Sequence, residues 1–415
     1  MSIGKPLAGV RVVESSMLGP AEMGGLLADL GADVVKVEPP GGDYGRRMTW
    51  PIIRSQDGQH EASLLSIHIN RGKRSVVLDL RQPEGVEAYL DLVRHADVVI
   101  EAMRPGALAK RGLTMEHLQE ANPAIVFCSI SGYGATGPYK NMPSHGIAYD
   151  TWAGQVPVEV DENGFTAMAE HTSVGIHAGP LYGALAILAS VIHARATGEG
   201  CAMEIAQSDA AAYFDWYRIE TWRNYQRPQE EVYGNEADDG ERRAPGVGGM
   251  RGGVRYQIYA SSDGHVLFMA SEQSFWKNFL EGIDRLDLFE KWPGTTYGSH
   301  ARGNLELQEE LTKIFASRTS AEWIAFGDEH NTTIAPVNTP ETILKDPQFE
   351  HRFTWVPKED VDADMLGYPV KFEGGDLPAP GPAPSAGQHS EEVLREVAGY
   401  DEERIQKMRE AGVLG

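Results

Sequence analysis

The sequence predicts an α/β protein built on a doubly wound parallel sheet, with a second, smaller α+β domain. Three observations carry this reading. Short valine-rich runs alternate with helical patterns through residue 131. A charged, glycine-rich segment, GNEADDGERRAPGVGGMRGG, interrupts the chain after that alternation has ended. A helix and hairpin pattern of different composition follows it. The domains are expected at residues 1–224 and 225–330, with 331–415 returning to complete the first.

The opening unit is GVRVVESSMLGPAEMGGLLADLGADVVKVE, Gly9 to Glu38. Val10, Val12 and Val13 predict a buried strand, Ser15 to Gly19 a turn, and Leu26, Leu27 and Leu30 one apolar helical face. Gly31 ends that helix, and Val34, Val35 and Val37 begin a second strand. Such a crossover places its ligand beyond the carboxyl end of the first strand, where a helix N-terminus offers free amides to an anion. Function is therefore expected near Ser16 to Ala21. Gly19, Gly24 and Gly25 do not form the G-x-G-x-x-G pattern, which argues against a nicotinamide enzyme.

Further along, Ser75 to Leu80, Asp97 to Glu101, Ile125 to Ser131 and Ala202 to Ala206 predict strands. Pro83-Glu84 starts a helix carrying Val86, Leu90, Leu92 and Val93. Residues 140–170 read as irregular and polar. From His177 to Ala196 the pattern is helical and rich in Ala and Leu. The aromatic stripe Tyr213, Phe214, Trp216, Tyr217 and Trp222 is expected in a core or a subunit contact. Tyr256 to Tyr259 and His265 to Met269 flank Ser261-Ser262-Asp263-Gly264 as a hairpin, and Thr319 with Glu322 predicts a capping box. The Pro-rich Leu377 to Gln388 reads as an extended connector, and Ser390 to Ala411 as one final helix.

Composition narrows the function classes. A net charge of −23 makes the average surface repel nucleic acid and anionic membrane, so neither is expected as a partner. No apolar run is read as long enough to span a bilayer, and MSIGKPLAG lacks a signal-peptide core, so the expected location is cytoplasmic. Cys128 and Cys201 form neither a disulfide framework nor a C-x-x-C spacing, and are expected to be inert thiols. Against the acidic background, Arg46-Arg47, Lys73-Arg74, Arg104 and Lys110-Arg111 stand in loops at the expected sheet edge. Their joint placement suits a ligand with several phosphates.

GVRVVESSMLGPAEMGGLLADLGADVVKVEPPGGD, NRGKRSVVLDLR, DVVIEAMRPGALAKRGL, SISGYGATGPY and ALAILASVIHARATGEG resemble, in order and spacing, the family III CoA-transferases of the formyl-CoA and carnitine type. The resemblance covers nearly the whole chain. It implies a Rossmann-like large domain, an interlocked dimer of ring-shaped subunits, and CoA or acyl-CoA as substrate rather than a tightly bound cofactor. By position it implies that Met17 and Leu18 line the CoA or acyl pocket, and that Lys73, Met103, Arg104, Lys110 and Tyr133 meet nucleotide and pantetheine; Arg46 and Arg111, from the basic patches, are expected to join them in binding CoA. Gly248 and Gly249 fall in its glycine-rich flap, Pro245 to Gly253. Pro39 and Ala102 depart from the family at a basic residue and an asparagine.

Transfer of CoA between acids needs no metal, because the thioester is already activated. It needs a nucleophile that holds the acyl group and then CoA, which a carboxylate does through a mixed anhydride and an enzyme thioester. The family's aspartate falls here on Ile176, and an isoleucine forms no anhydride. Glu170 and Asp161 are the nearest upstream carboxylates; both also read as exposed loop acids. His177 reads as a polar helix-start residue, and Asp150 as a helix start.

The leading expectation is therefore a subunit of a CoA-transferase, paired in an interlocked heterodimer with a paralogous subunit that supplies the aspartate. Benzylsuccinate CoA-transferase, which has two subunits and a succinyl-CoA donor, is the example within the family. Three alternatives remain: a self-sufficient homodimer with a displaced carboxylate, a 2-methylacyl-CoA racemase, and a noncatalytic CoA-binding or scaffolding protein. Tyr149 and Ile176 occupy the racemase's acid-base places.

Overall fold

In the computed structural model, residues 4–55, 58, 60–234, 242, 250–373 and 375–415 are described. The chain divides into two compact units, residues 1–215 with 353–415, and residues 216–352.

The first unit holds six parallel strands: β1 Arg11–Ser16, β2 Asp33–Glu38, β3 Arg74–Val77, β4 Val98–Ala102, β5 Val126–Ser131 and β6 Cys201–Ala206. Their order across the sheet is β6-β5-β4-β1-β2-β3, the doubly wound order in which direction reverses between β1 and β4. Val12 lies beside Val34 on one side and Val98 on the other. Alternate side chains point to opposite faces, and both faces are covered. Val12, Val34, Val98 and Ile100 meet Met23 and Leu27 of helix α1, Glu22–Asp29, and Ile187 and Val191 of a long helix, Gly175–Thr197. Val13, Val35 and Val99 meet Tyr89, Leu92 and Val93 of the helix Pro83–Val93, together with Val393, Leu394, Ile405 and Met408 from the C-terminal end.

Several sequence expectations change here. The final helix is two helices, Ser390–Glu396 and Glu402–Glu410. Gly399 turns with φ 70°, and the Asp401 carboxylate accepts from the Arg404 amide to start the second helix. The polar stretch 140–170 contains a helix, Ile147–Trp152, and a hairpin, Val158–Val160 with Thr166–Met168. Gly175–Thr197 is long and apolar enough to cross a bilayer by length and composition, contrary to the expectation that no run is. Its apolarity comes mainly from Ile, Leu and Val residues, and Ile187 and Val191 are buried against the sheet.

The second unit has a three-stranded antiparallel sheet in which Tyr256–Ala260 and Ile334–Pro336 flank His265–Met269. The expected hairpin and the Thr319–Glu322 capping box both form. Its core is aromatic: Phe268, Trp276, Phe279, Phe315 and Trp323 are fully buried and pack ring against ring. The unit begins at 216 and runs to 352, rather than 225 to 330. Its third strand, Ile334–Pro336, lies beyond the expected end because it closes this sheet. Tyr213, Phe214, Trp216, Tyr217 and Trp222 are all half or more exposed, so they build no core within this chain.

Candidate acyl-CoA site at the sheet switch point

The strand order reverses between β1 and β4, and the carboxyl ends of strands beside such a reversal are the usual ligand position in open α/β sheets. From β1 the chain enters the turn Met17 to Ala21, and from β4 the loop Met103 to Leu108. Leu18 takes φ 54°, a backbone region that costs a branched side chain about 1–3 kcal/mol and collects at functional sites. Its side chain packs close over Gly45, where an added Cβ would stand 2.8 Å from Leu18 Cδ2.

Beneath this turn lies a buried charged floor. Glu14 points from β1 and pairs with Lys73 at 2.6 Å, and both side chains are fully enclosed. Ser16 donates to the other oxygen of Glu14 at 2.6 Å. Lys73 also donates to the Ala21 carbonyl at 2.6 Å, pinning the end of the turn. Burial lowers the Lys73 pKa to about 8, opposed in part by Glu14. Lys73 is thus a support for the turn and not a cation presented to phosphate. Arg46 is also engaged: it donates to both oxygens of Glu38, at 2.9 and 2.5 Å, and to the Pro384 carbonyl at 2.6 Å. Burial pushes Glu38 up, but Arg46, Lys36 and Ser75 outweigh it and hold its carboxyl at about 2.

Arg104, Lys110 and Arg111 differ. All three are exposed on the segment leaving β4, and among the described residues they carry no ion pair. Met103 is half-buried against the core. Glu101, buried at the end of β4, accepts from the Leu108 amide at 2.8 Å and folds this loop back on itself. Tyr133, in the turn after β5, stacks edge-on with Tyr139 and Tyr149 at 5.7 and 6.0 Å. Gly248 and Gly249 lie outside the described residues.

The long helix Gly175–Thr197 brings its N-terminus against the β1 turn. A Cβ on Gly19 would lie 3.3 Å from Ile176 Cβ, so the position matching the family's nucleophile stands directly on the β1 turn. The helix start is fixed by Asp150. This carboxylate is fully buried and accepts from the amides of Val174 and Gly175, at 3.1 and 2.7 Å. It therefore caps a helix that begins 25 residues later, in addition to lying in the short helix Ile147–Trp152. Its second oxygen lies 3.8 Å from His171 Nε2. Asp161 turns the hairpin, accepting from the amides of Asn163 and Phe165, and Glu170 is exposed in the segment before the helix.

His177 is more than a helix-start residue. Its Nδ1 lies 2.8 Å from Glu22 Oε2, and His68 Nε2 lies 3.8 Å from the other oxygen of Glu22. Burial pushes Glu22 up, but the two histidines outweigh it and bring it to about 2; in return the hydrogen bond from Glu22 raises His177. Sequence reading missed Glu22 and His68, because 155 residues separate Glu22 from His177. Among the described residues no group of His, Cys, Asp and Glu is placed to hold a metal.

The doubly wound sheet, with its switch point between β1 and β4 and a strained turn and exposed cations at its edge, defines the class as a Rossmann-like α/β protein. The chain belongs to the CoA-transferase family III, whose model matches residues 7–390. It is 29% identical to a succinate–glutarate CoA-transferase of Agrobacterium fabrum, over 94% of this chain and 96% of that one. It is 28% identical to the succinyl-CoA:(R)-benzylsuccinate CoA-transferase subunit BbsE of Thauera aromatica, over 99% of both. A crystal structure of a CAIB/BAIF family protein from Brucella suis superposes with a TM-score of 0.76 at 26% identity, over 95% of this chain and all of that one.

Proposed function

We propose that this chain is one subunit of a CoA-transferase that moves CoA from succinyl-CoA to a second carboxylic acid, and that a paralogous subunit supplies the nucleophilic aspartate. Ile176 carries the proposal: the helix start, the Asp150 cap and the contact with Gly19 are all in place, yet the side chain there cannot attack a thioester. The reaction splits into anhydride and thioester steps that only a carboxylate can mediate. In this reading Arg104, Lys110 and Arg111 take the phosphates of CoA, while Met17, Leu18 and Met103 line the path of pantetheine and acyl group. The relative BbsE is itself named as a subunit, which supports a two-chain enzyme. Leu181, Leu185 and Ile192, exposed on the long helix, suit an interlocked partner. A cytoplasmic location goes with an acyl-CoA substrate.

The test is to incubate the purified chain, alone and with its paralogue, with a panel of acyl-CoAs, trap with hydroxylamine or borohydride, and map the modified peptides by mass spectrometry. A tagged aspartate on the paralogue and none on this chain is the expected result. A tag on Glu170, Asp161 or Asp150 overturns the division of labour and establishes a self-sufficient enzyme.

A further inference from the structure

The residue after the missing nucleophile is a histidine paired with a partly buried carboxylate. Glu22 is the first residue of α1, and His177 lies one position beyond Ile176 at the start of the long helix. The hydrogen bond at 2.8 Å uses His177 Nδ1 and leaves Nε2 on a half-exposed ring with no protein partner among the described residues. A carboxylate on one imidazole nitrogen fixes the tautomer and orients the other nitrogen toward solvent, the arrangement by which a histidine serves as general base. Glu22 and His68, though not His177, help to wall a cavity of about 360 Å³ together with Leu26, Trp355, Leu366 and Tyr368.

We propose that His177, oriented by Glu22, activates water against the thioester carbonyl of an acyl-CoA held in this chain, so that the chain hydrolyses acyl-CoA when no acceptor acid is present. The inference rests on the acyl-CoA reading of the sheet edge. Water oxygen bonds to the carbonyl carbon while one of its protons passes to His177 Nε2. The carbon–sulfur bond then breaks, and that proton passes from Nε2 to the departing sulfur. The products are the free acid and CoA thiol, and nothing is oxidised or reduced. Glu22 is a positioning residue. It faces His177 from α1; His68 faces the pair from the helix Leu64–Asn70, and Asp150 adds negative charge from the helix Ile147–Trp152.

The test measures thiol release from succinyl-CoA without acceptor acid, in water enriched in oxygen-18, beside calorimetric titration with CoA. The expected result is release of thiol with one labelled oxygen in the acid, and a rate that rises with pH as His177 loses its proton at a pKa above the ordinary 6.5. His177→Gln should lower the rate about 100-fold or more with CoA affinity unchanged. Glu22→Gln should move the pH midpoint downward toward 6.5, which a merely structural tie would not do. His193→Gln, exposed further along the same helix, should change nothing. Full hydrolysis by His177→Gln, or CoA binding by the wild type without thiol release, overturns the proposal and leaves the transferase reading standing. Failure to bind CoA overturns both.

Discussion

Arg46, Lys73 and Arg74 stand within a few residues of strand ends, as Arg104, Lys110 and Arg111 do, yet the two groups meet opposite surroundings. The first group lies beside β1, β2 and β3, where strands carry inward-facing carboxylates. Glu14 and Glu38 claim Lys73 and Arg46 at 2.6 and 2.5 Å and take their charges into the floor, while Arg74, at the start of β3, pairs with partly exposed Asp33 at 2.7 Å. The second group follows β4, whose own carboxylate, Glu101, is spent on the Leu108 amide. Its cations stay in solvent. The lesson is that basic residues at a sheet edge are available to a ligand only where neighbouring strands leave them unpaired.

Four measurements would break or sharpen this contrast. Lys73→Met should be the most damaging, because it strands Glu14 in the interior; a loss of about 3–5 kcal/mol in urea unfolding is expected, with partial recovery when Glu14→Leu is added. A loss below about 1 kcal/mol would break the inward side of the comparison. The pair Glu38–Arg46 should appear in acid. Glu38 is held at about 2 against an ordinary 4.5, so its contribution, about 3 kcal/mol, is present above pH 4.5 and fades as pH falls through 2. Arg46→Met should flatten that acid limb of the stability profile.

On the outward side, Arg104→Glu with Lys110→Glu and Arg111→Glu should weaken CoA binding about 100-fold by calorimetry, with stability unchanged to within about 0.5 kcal/mol. Unchanged affinity would place the phosphates elsewhere. The smallest effect expected is that of Gly24→Ala. Its Cβ would stand 2.5 Å from Glu14 Oε2, and pushing that carboxylate aside should cost about 1–2 kcal/mol, visible as a lower thermal midpoint.

The sheet was legible because its signal is local: four of the six strands carry a Val-Val pair, and Pro83 marks the start of the helix Pro83–Val93. The position of Ile176 was legible for a similar reason, since an ungapped Ala/Leu helix fixed its register. Other features were not. Lys73 and Lys110 look alike in sequence, and only pairing with Glu14 separates them. Asp150 resembles a helix start, and its capping of the helix at Gly175 depends on a fold that brings residues 25 apart together. The exposed aromatics from Tyr213 to Trp222 gave no sign of which side they face, because aromatic spacing suits a core and a partner surface equally.

By itself, then, the amino-acid sequence determined the alternation of elements, the family and the absence of a carboxylate at residue 176, all of which depend on neighbours along the chain. Tertiary structure alone decided which charges are buried, which remain free, and that His177 meets Glu22. Those outcomes depend on burial and on contacts between residues up to 338 apart, and electrostatic pairing is set by distance in space rather than by distance in sequence.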